Sequence, residues 1–395
     1  AYSYYELYTK FGDIPYTTKV LSIKESMSIA RTAKATVIAN VLADLDEVIN
    51  GNYLPTSYDA DNKGRITRWA AMAIKAKIYL FEGNWTQVKN ITSTIMTEGG
   101  FKLFGSYAGL FEIANEYNSE VILDAQYRPT SREHQMMYVF LPPTLGGYSQ
   151  LSPLQELVDS YIMLDGKTIK ETGTSFDESH PYANRDPRLK ATVMYTGNSY
   201  TLADGTEVVI NCEKGEGKDG YGVGSDCSAT GYYIKKYWDN TYRATLYSGL
   251  NPILIRYADI LLMNAEALAE LGELDKTAWD ATIKPIRDRA GFTLASALEF
   301  PEGASKDKLI EIVRNERRSE LALEGHRHKD IIRWRIADNV LNGWCHGLKT
   351  NDVVGTDDGY VRVENRTFNA NKHYLWPIPQ AERDLNGNLE QNPNW

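Results

Sequence analysis

Leu254-Ile-Arg-Tyr-Ala-Asp-Ile-Leu-Leu-Met-Asn-Ala-Glu-Ala-Leu-Ala-Glu-Leu-Gly272 decides the architecture of this chain. Ala258, Leu261, Leu262, Ala265, Leu268 and Leu271 recur at helical spacing and form one apolar face. Gly272 suits the C-terminus of that helix. Asp275 can cap the next one, which carries Ala278, Trp279 and Ile283, and Pro285 kinks or restarts it. Two helices joined by a short turn are therefore expected over 255–290.

The same grammar stands far upstream. Residues 32–50 carry a helical stripe of Val37, Ile38, Val41, Leu42, Leu45, Val48 and Ile49, ended by Gly51. Residues 66–82 are rich in alanine (70, 71, 73 and 76), which permits close helix approach. Gly83-Asn84 breaks that helix, and Trp85, Val88, Ile91 and Ile95 mark the next. Small residues, a short turn and an aromatic opening the second helix resemble a tetratricopeptide-type hairpin of roughly 34 residues. Two such hairpins so far apart predict a helical scaffold interrupted by an insertion.

The insertion is expected at 128–252, between helical segments 1–127 and 253–395. Helical periodicity stops there, apart from a short helix near 152–164. Short strands are expected at 191–195, 207–210 and 232–238. Tyrosine is concentrated: 12 of the 26 fall in these 125 residues. A tyrosine ring offers a flat apolar face and one hydroxyl at low entropic cost, which suits sugar rings and peptides alike. Many of these rings are expected to pack in the core. Tyr148, Tyr182 and Tyr221 read as loop-exposed, and Trp238 and Tyr242 complete the candidate ligand-binding set.

Bulk properties narrow the function. The net charge is −9, and the locally basic run 306–335 interleaves both signs, so nucleic-acid binding is disfavoured. No stretch approaches about 18 apolar residues, the length of a membrane span. Cys212 and Cys227 bracket a Gly-rich loop and can pair in an oxidising compartment, with Cys345 left over. Gly215-x-Gly217-x-x-Gly220 matches a dinucleotide fingerprint by letter, but no helical pattern follows, so it reads as a loop. No cofactor is expected. Glu213, Glu216, Asp219 and Asp226 could hold a structural calcium ion, although their spacing is not that of an EF-hand.

One charged stretch stands out: Asn315-Glu-Arg-Arg-Ser-Glu-Leu-Ala-Leu-Glu-Gly-His-Arg-His-Lys-Asp-Ile-Ile-Arg-Trp334. On one helix, Glu316, Glu320 and Glu324 would share a stripe that continues the apolar Leu309 and Val313. Arg317, Arg327 and Arg333 are near in sequence to neutralise them. A glycosidase would set its two carboxylates on different elements across a cleft, whereas these lie along one helix, so the set reads as a structural ion network. His326 and His328 are two apart, a spacing that suits a strand, and no third metal ligand stands out.

An ordered set of segments resembles the SusD/RagB family of nutrient-binding outer-membrane lipoproteins. It comprises Tyr8-Thr-Lys-Phe-Gly-Asp-Ile-Pro15, Gly64-Arg-Ile-Thr-Arg-Trp-Ala-Ala71, Ser152-Pro-Leu-Gln-Glu-Leu-Val-Asp-Ser-Tyr161 and Asn184-Arg-Asp-Pro-Arg188, and then the two stretches quoted above. Leu375-Trp-Pro-Ile-Pro-Gln-Ala-Glu382 and Gln391-Asn-Pro-Asn-Trp395 close it. The resemblance implies a mostly α fold, a superhelix of four tetratricopeptide-like pairs with an irregular, partly β insertion. It implies non-catalytic capture of an oligosaccharide, or in some members a peptide, for a SusC-like TonB-dependent transporter. It also implies a surface-exposed lipoprotein of the outer membrane, anchored through an acylated N-terminal segment that this chain lacks. The family's binding residues vary, so its motifs assign none here. Two rivals remain: a protein-binding tetratricopeptide scaffold and a glycoside hydrolase.

Overall fold

In the computed structural model, which describes residues 1–241 and 246–395, the helical stripes form a stacked scaffold. Its helices are α1 (Tyr2–Phe11), α2 (Lys34–Asn50), α3 (Arg68–Phe81), α4 (Trp85–Glu98), α5 (Tyr257–Leu271), α6 (Ile283–Ala290), α7 (Lys306–Glu320) and α8 (Arg327–Arg333). Thr67 starts α3 by accepting a hydrogen bond from the Ala70 N–H, and Asn84 starts α4 from the Gln87 N–H. Ala70, Ala71, Ala73 and Ala76 are all buried in α3, so α2 and α4 pack closely against it. α4 then packs on α5, although residues 99–256 separate them in sequence. Asn264 of α5 donates to Thr92 Oγ1 (3.0 Å) and Ser93 Oγ (3.1 Å) of α4. Asp275 caps a short helix, Lys276–Ala281, as expected. Pro285 restarts the helix rather than kinking it: it lies in the first turn of α6, where a missing N–H breaks no helical bond.

Between α4 and α5 the chain is largely irregular. Its strands are β1 (Val121–Asp124), β2 (Val193–Met194), β3 (Ser199–Thr201), β4 (Glu207–Val209), β5 (Tyr233–Ile234) and β6 (Ile253–Arg256). They pair β1–β6, β2–β5 and β3–β4, all antiparallel. The β1–β6 pair brings the two ends of the segment together at the scaffold. The expected helix near 152–164 spans Gln155–Ser160. A separate apolar core holds this segment, and Tyr161, Tyr200, Tyr232, Tyr233 and Tyr237 are buried in it.

A further, three-stranded sheet lies where the sequence reading expected only helical scaffold. β7 (Gly343–Lys349), β8 (Thr356–Asp357) and β9 (Tyr360–Arg366) form an antiparallel sheet in the order β7–β9–β8. Tyr360-Val-Arg-Val-Glu-Asn-Arg366 alternates in the manner of a half-buried strand, with Val361 as its inward residue. The Leu348 N–H donates to Thr230 O (2.7 Å), which docks β7 on the insertion.

The charged stretch departs from expectation in its partners. α7 stops at Glu320, so Glu324 lies past the helix on the following turn. The stripe's carboxylates are neutralised from far away in sequence. Glu316 meets Arg188 Nη1 (2.7 Å) and Arg287 Nε (2.7 Å). Glu320 meets Arg188 Nη1 (2.8 Å), Arg256 Nη1 (2.6 Å) and Arg289. Glu324 meets Lys236 Nζ (2.7 Å) and Arg256 Nη2 (2.7 Å). Asp186 and Glu120 complete a buried set of five carboxylates and five cations. Arg317 and Arg333 serve a second set instead: Arg317 binds Asp259 (2.6 Å) and Asp330 (2.9 Å), and Arg333 binds Glu266 (2.6 Å). Lys77 joins that set at Asp259. Arg327 sits over the Trp334 ring (5.8 Å) and pairs with none of the three glutamates. His326 Nδ1 lies 3.5 Å from Lys77 Nζ, and His328 stands edge-on to Trp376.

Cys212, Cys227 and Cys345 are free, with Cys212 buried in the insertion core. Among the described residues, no helix is long and apolar enough to cross a membrane. Nor do three or more His, Cys, Asp or Glu side chains gather to hold a metal. Asp219, one of the four acidic loop residues, accepts instead from the Thr144 N–H (2.7 Å).

Candidate ligand-binding cleft

A cleft of about 980 Å³ opens between the insertion and the loop that follows β7. Its inner wall is built by β2 and β5. Their pairing sets Tyr195, just after β2, beside Tyr232, just before β5. Tyr182 arrives on a loop that Arg185 staples in place. The buried Arg185 guanidinium donates to Val158 O (2.6 Å), Tyr161 O (2.7 Å) and Pro181 O (2.8 Å), tying the loop to the end of the Gln155–Ser160 helix.

Tyr182 and Tyr195 form a half-buried aromatic surface, with the buried Tyr232 packed behind it. Tyr182 stacks on Tyr195 with centroids 4.0 Å apart and planes 16° apart, and meets Tyr232 edge-on at 6.5 Å. Their hydroxyls are chained: Tyr182 Oη lies 3.2 Å from Tyr232 Oη, which donates to Gln155 Oε1 (2.6 Å). Burial pushes the Tyr182 hydroxyl up to about 12 and that of Tyr232 well above its ordinary value. Both are therefore neutral hydrogen-bonding groups at physiological pH. The facing wall comes from the β7–β9–β8 sheet and the loop that follows β7: Leu348, Lys349, Thr350, Asn351, Asp352 and Tyr360. Phe176 lies at the side, with the Arg185 guanidinium 5.5 Å from its ring.

Charged groups ring the mouth. Lys349 on the sheet reaches Glu178 on the insertion (Nζ–Oε2 2.8 Å), and Lys214 on the insertion reaches Asp352 past β7. The two lips are thus bridged by two exposed ion pairs, each a weak contact. The arrangement offers stacking faces, phenol hydroxyls, a carboxamide and a threonine hydroxyl in one concave space.

Of the residues singled out in the sequence, Tyr182 lines this cleft. Tyr148 is 40% exposed but lies outside it, tilted against Tyr138 (4.3 Å, 30°). Tyr221 is half-buried at the edge of the insertion core, and its backbone bonds Cys212 O and the Gly215 N–H. Trp238 is a strut: its indole N–H donates to Thr201 O (2.8 Å) and its ring packs on Tyr200. Tyr242 lies outside the described residues. Tyr195, Tyr232, Phe176, Tyr360 and Gln155 were not singled out. Tyr195 and Tyr232 do bound two of the strands expected from the sequence, and a binding role for strand ends was the available signal.

The model of the SusD family matches residues 110–395. A second model, described as starch-binding associating with outer membrane, matches residues 1–80. SusD-like protein P25 of Formosa agariphila is 28% identical over 365 residues, covering 86% of this chain and 63% of that protein. The chain thus spans under two thirds of that relative's length. Among solved structures, a SusD-like carbohydrate-binding protein from Bacteroides fragilis superposes with a TM-score of 0.87 at 28% identity, covering 98% of this chain and 77% of the other. A laminarin-binding SusD-like protein shares the fold with a TM-score of 0.65 at 23% identity, over 99% of this chain and 76% of its own.

Proposed function

The chain belongs to the SusD family, and on that premise we propose that it captures oligosaccharides without cleaving them. The Tyr182–Tyr195 wall, backed by the buried Tyr232 and sharing the cleft with Tyr360 and Asn351, carries this reading. Sugar rings present an apolar C–H face to an aromatic ring and a rim of hydroxyls to polar neighbours. The cleft pairs stacking faces with Gln155, Thr350 and Asn351 at its walls. The carbohydrate-binding description of the Bacteroides fragilis neighbour supports the same reading.

The captured glycan passes to a SusC-like TonB-dependent transporter in the outer membrane, and a lipidated N-terminal segment holds the protein at the cell surface. The description of the family model over residues 1–80, which names the outer membrane, supports this placement. A single site of this kind binds on the order of micromolar to millimolar.

Titration calorimetry of the purified chain against plant, host and microbial glycans and a peptide mixture, with product analysis, tests the reading. Saturable binding of a glycan without cleavage is expected. Tyr195→Ala should weaken it about tenfold, the loss of roughly 1.4 kcal/mol of stacking and apolar contact. Binding of peptides alone would move the chain to peptide capture, and release of shortened sugars would overturn the non-catalytic reading.

A further inference from the structure

Resting on the reading of the cleft as a glycan site, we infer that it selects neutral oligosaccharides and turns away acidic ones, those bearing uronate or sulfate groups. The charge at its mouth is one-sided. Glu178, Glu213, Glu216 and Asp352 line it with only Lys214 and Lys349 as opposing ammonium groups, an excess of two carboxylates. The two lysines are already engaged, Lys349 with Glu178 and Lys214 with Asp352. His180, the remaining titratable group at the mouth besides the tyrosines, is held by Asp177 (Nδ1–Oδ2 2.9 Å). Glu213 and Glu216 are exposed and form no ion pair among the described residues. Arg185 stands against the Phe176 ring with its guanidinium spent on three backbone carbonyls.

Among the described residues lining the mouth, an anionic glycan therefore meets no unpaired ammonium group. Taking a lysine from its partner brings no net gain, because the released Glu178 or Asp352 stays beside the ligand as an unpaired like charge. A neutral sugar avoids this conflict and keeps the stacking surface. The clustering of like charge in a concave site extends the repulsion beyond direct contact.

Calorimetry with matched panels decides it. The neutral probes are laminarin, xyloglucan and mannan oligosaccharides; the acidic ones are oligogalacturonate, alginate and carrageenan oligosaccharides. Each is titrated at about 0.01 M and about 1 M NaCl, where charges are screened beyond roughly 30 Å and 3 Å. Wild-type protein should bind a neutral probe with affinity nearly unchanged by salt, and Tyr195→Ala should reduce that binding. The double variant Glu213→Gln/Glu216→Gln removes two exposed carboxylates from the mouth. It should strengthen low-salt binding of at least one acidic probe about tenfold. Tyr195-dependent binding of an acidic probe as tight as that of any neutral one would overturn the inference while leaving the cleft reading intact. No gain for any acidic probe in the double variant would also overturn it. Glycan binding that Tyr195→Ala leaves untouched would instead remove the cleft reading itself.

Discussion

Glu320 is wholly buried and meets the guanidinium groups of Arg188, Arg256 and Arg289. Burial alone would raise its pKa, but the three arginines outweigh it and hold the carboxyl well below its ordinary 4.5. The stability it contributes is thus present above that unfolded value and is lost as pH falls. Glu320→Gln leaves three buried cations one charge short. We expect a loss of about 3–5 kcal/mol in chemical denaturation. His346 works in the opposite sense. Burial disfavours its charged ring, yet hydrogen bonds to Glu156 Oε1 (2.7 Å) and Asp357 Oδ2 (3.1 Å) prevail and raise its pKa above 6.5. Its contribution is full below 6.5 and disappears as pH rises through the raised value. His346→Gln should flatten the decline of melting temperature across that window, measured by thermal unfolding at stepped pH. Residues of this kind were half legible. The carboxylates Glu316, Glu320 and Glu324 were found because charge interrupts an apolar stripe. Their true partners, Arg188, Arg256, Arg287, Arg289 and Lys236, carry no local sign of the role.

The helices were legible as elements because burial on one face imposes a period of 3.6 on the chain itself. Expected spans 32–50 and 66–82 end within about two residues of α2 and α3, and Gly272, expected to end the first helix of 255–290, directly follows α5, a margin usual at helix ends. The expected strands 191–195, 207–210 and 232–238 contain β2, β4 and β5, each only two or three residues long, while β3 was not expected because three residues are too few for alternation to declare itself. The sheet formed by β7, β8 and β9 was long enough to be read but escaped behind the helical stretch that precedes it. Its docking depends on close backbone approach. A Cβ on Gly347 would stand 2.6 Å from Thr230 O and 2.8 Å from its Cα, where only a backbone shift could relieve the clash. Gly347→Ala should therefore cost about 1–3 kcal/mol by overpacking. It should also weaken glycan binding, because the same sheet and the loop after β7 supply Tyr360 and Asn351 to the cleft. Denaturation and calorimetry on one preparation check both effects. Full stability with weakened binding would show that the sheet moves without loosening the fold.

Across the whole molecule, Arg256 joins parts that are distant in the chain. From the end of β6 it binds Glu120 at the foot of the insertion (2.7 Å) and Glu320 and Glu324 on the scaffold (2.6 and 2.7 Å). Lys236 and Arg188 make the same crossing from within the insertion. Breaking one such group leaves several charges buried and unpaired, so insertion and scaffold should unfold together. Far-ultraviolet circular dichroism, dominated by the helices, and hydrogen exchange of the insertion's buried amides should then report one denaturant midpoint. Arg256→Met should separate the two transitions. Local sequence determined the helical hairpins, the place of the interruption and the family, since each is written in short-range periodicity and ordered motifs. The cleft was decided only by tertiary structure. Tyr182, Tyr195 and Tyr232 look in sequence like many other tyrosines here. A ring becomes a binding face or a core residue according to what packs beside it, and that depends on strand pairing and on a sheet from the far end of the chain.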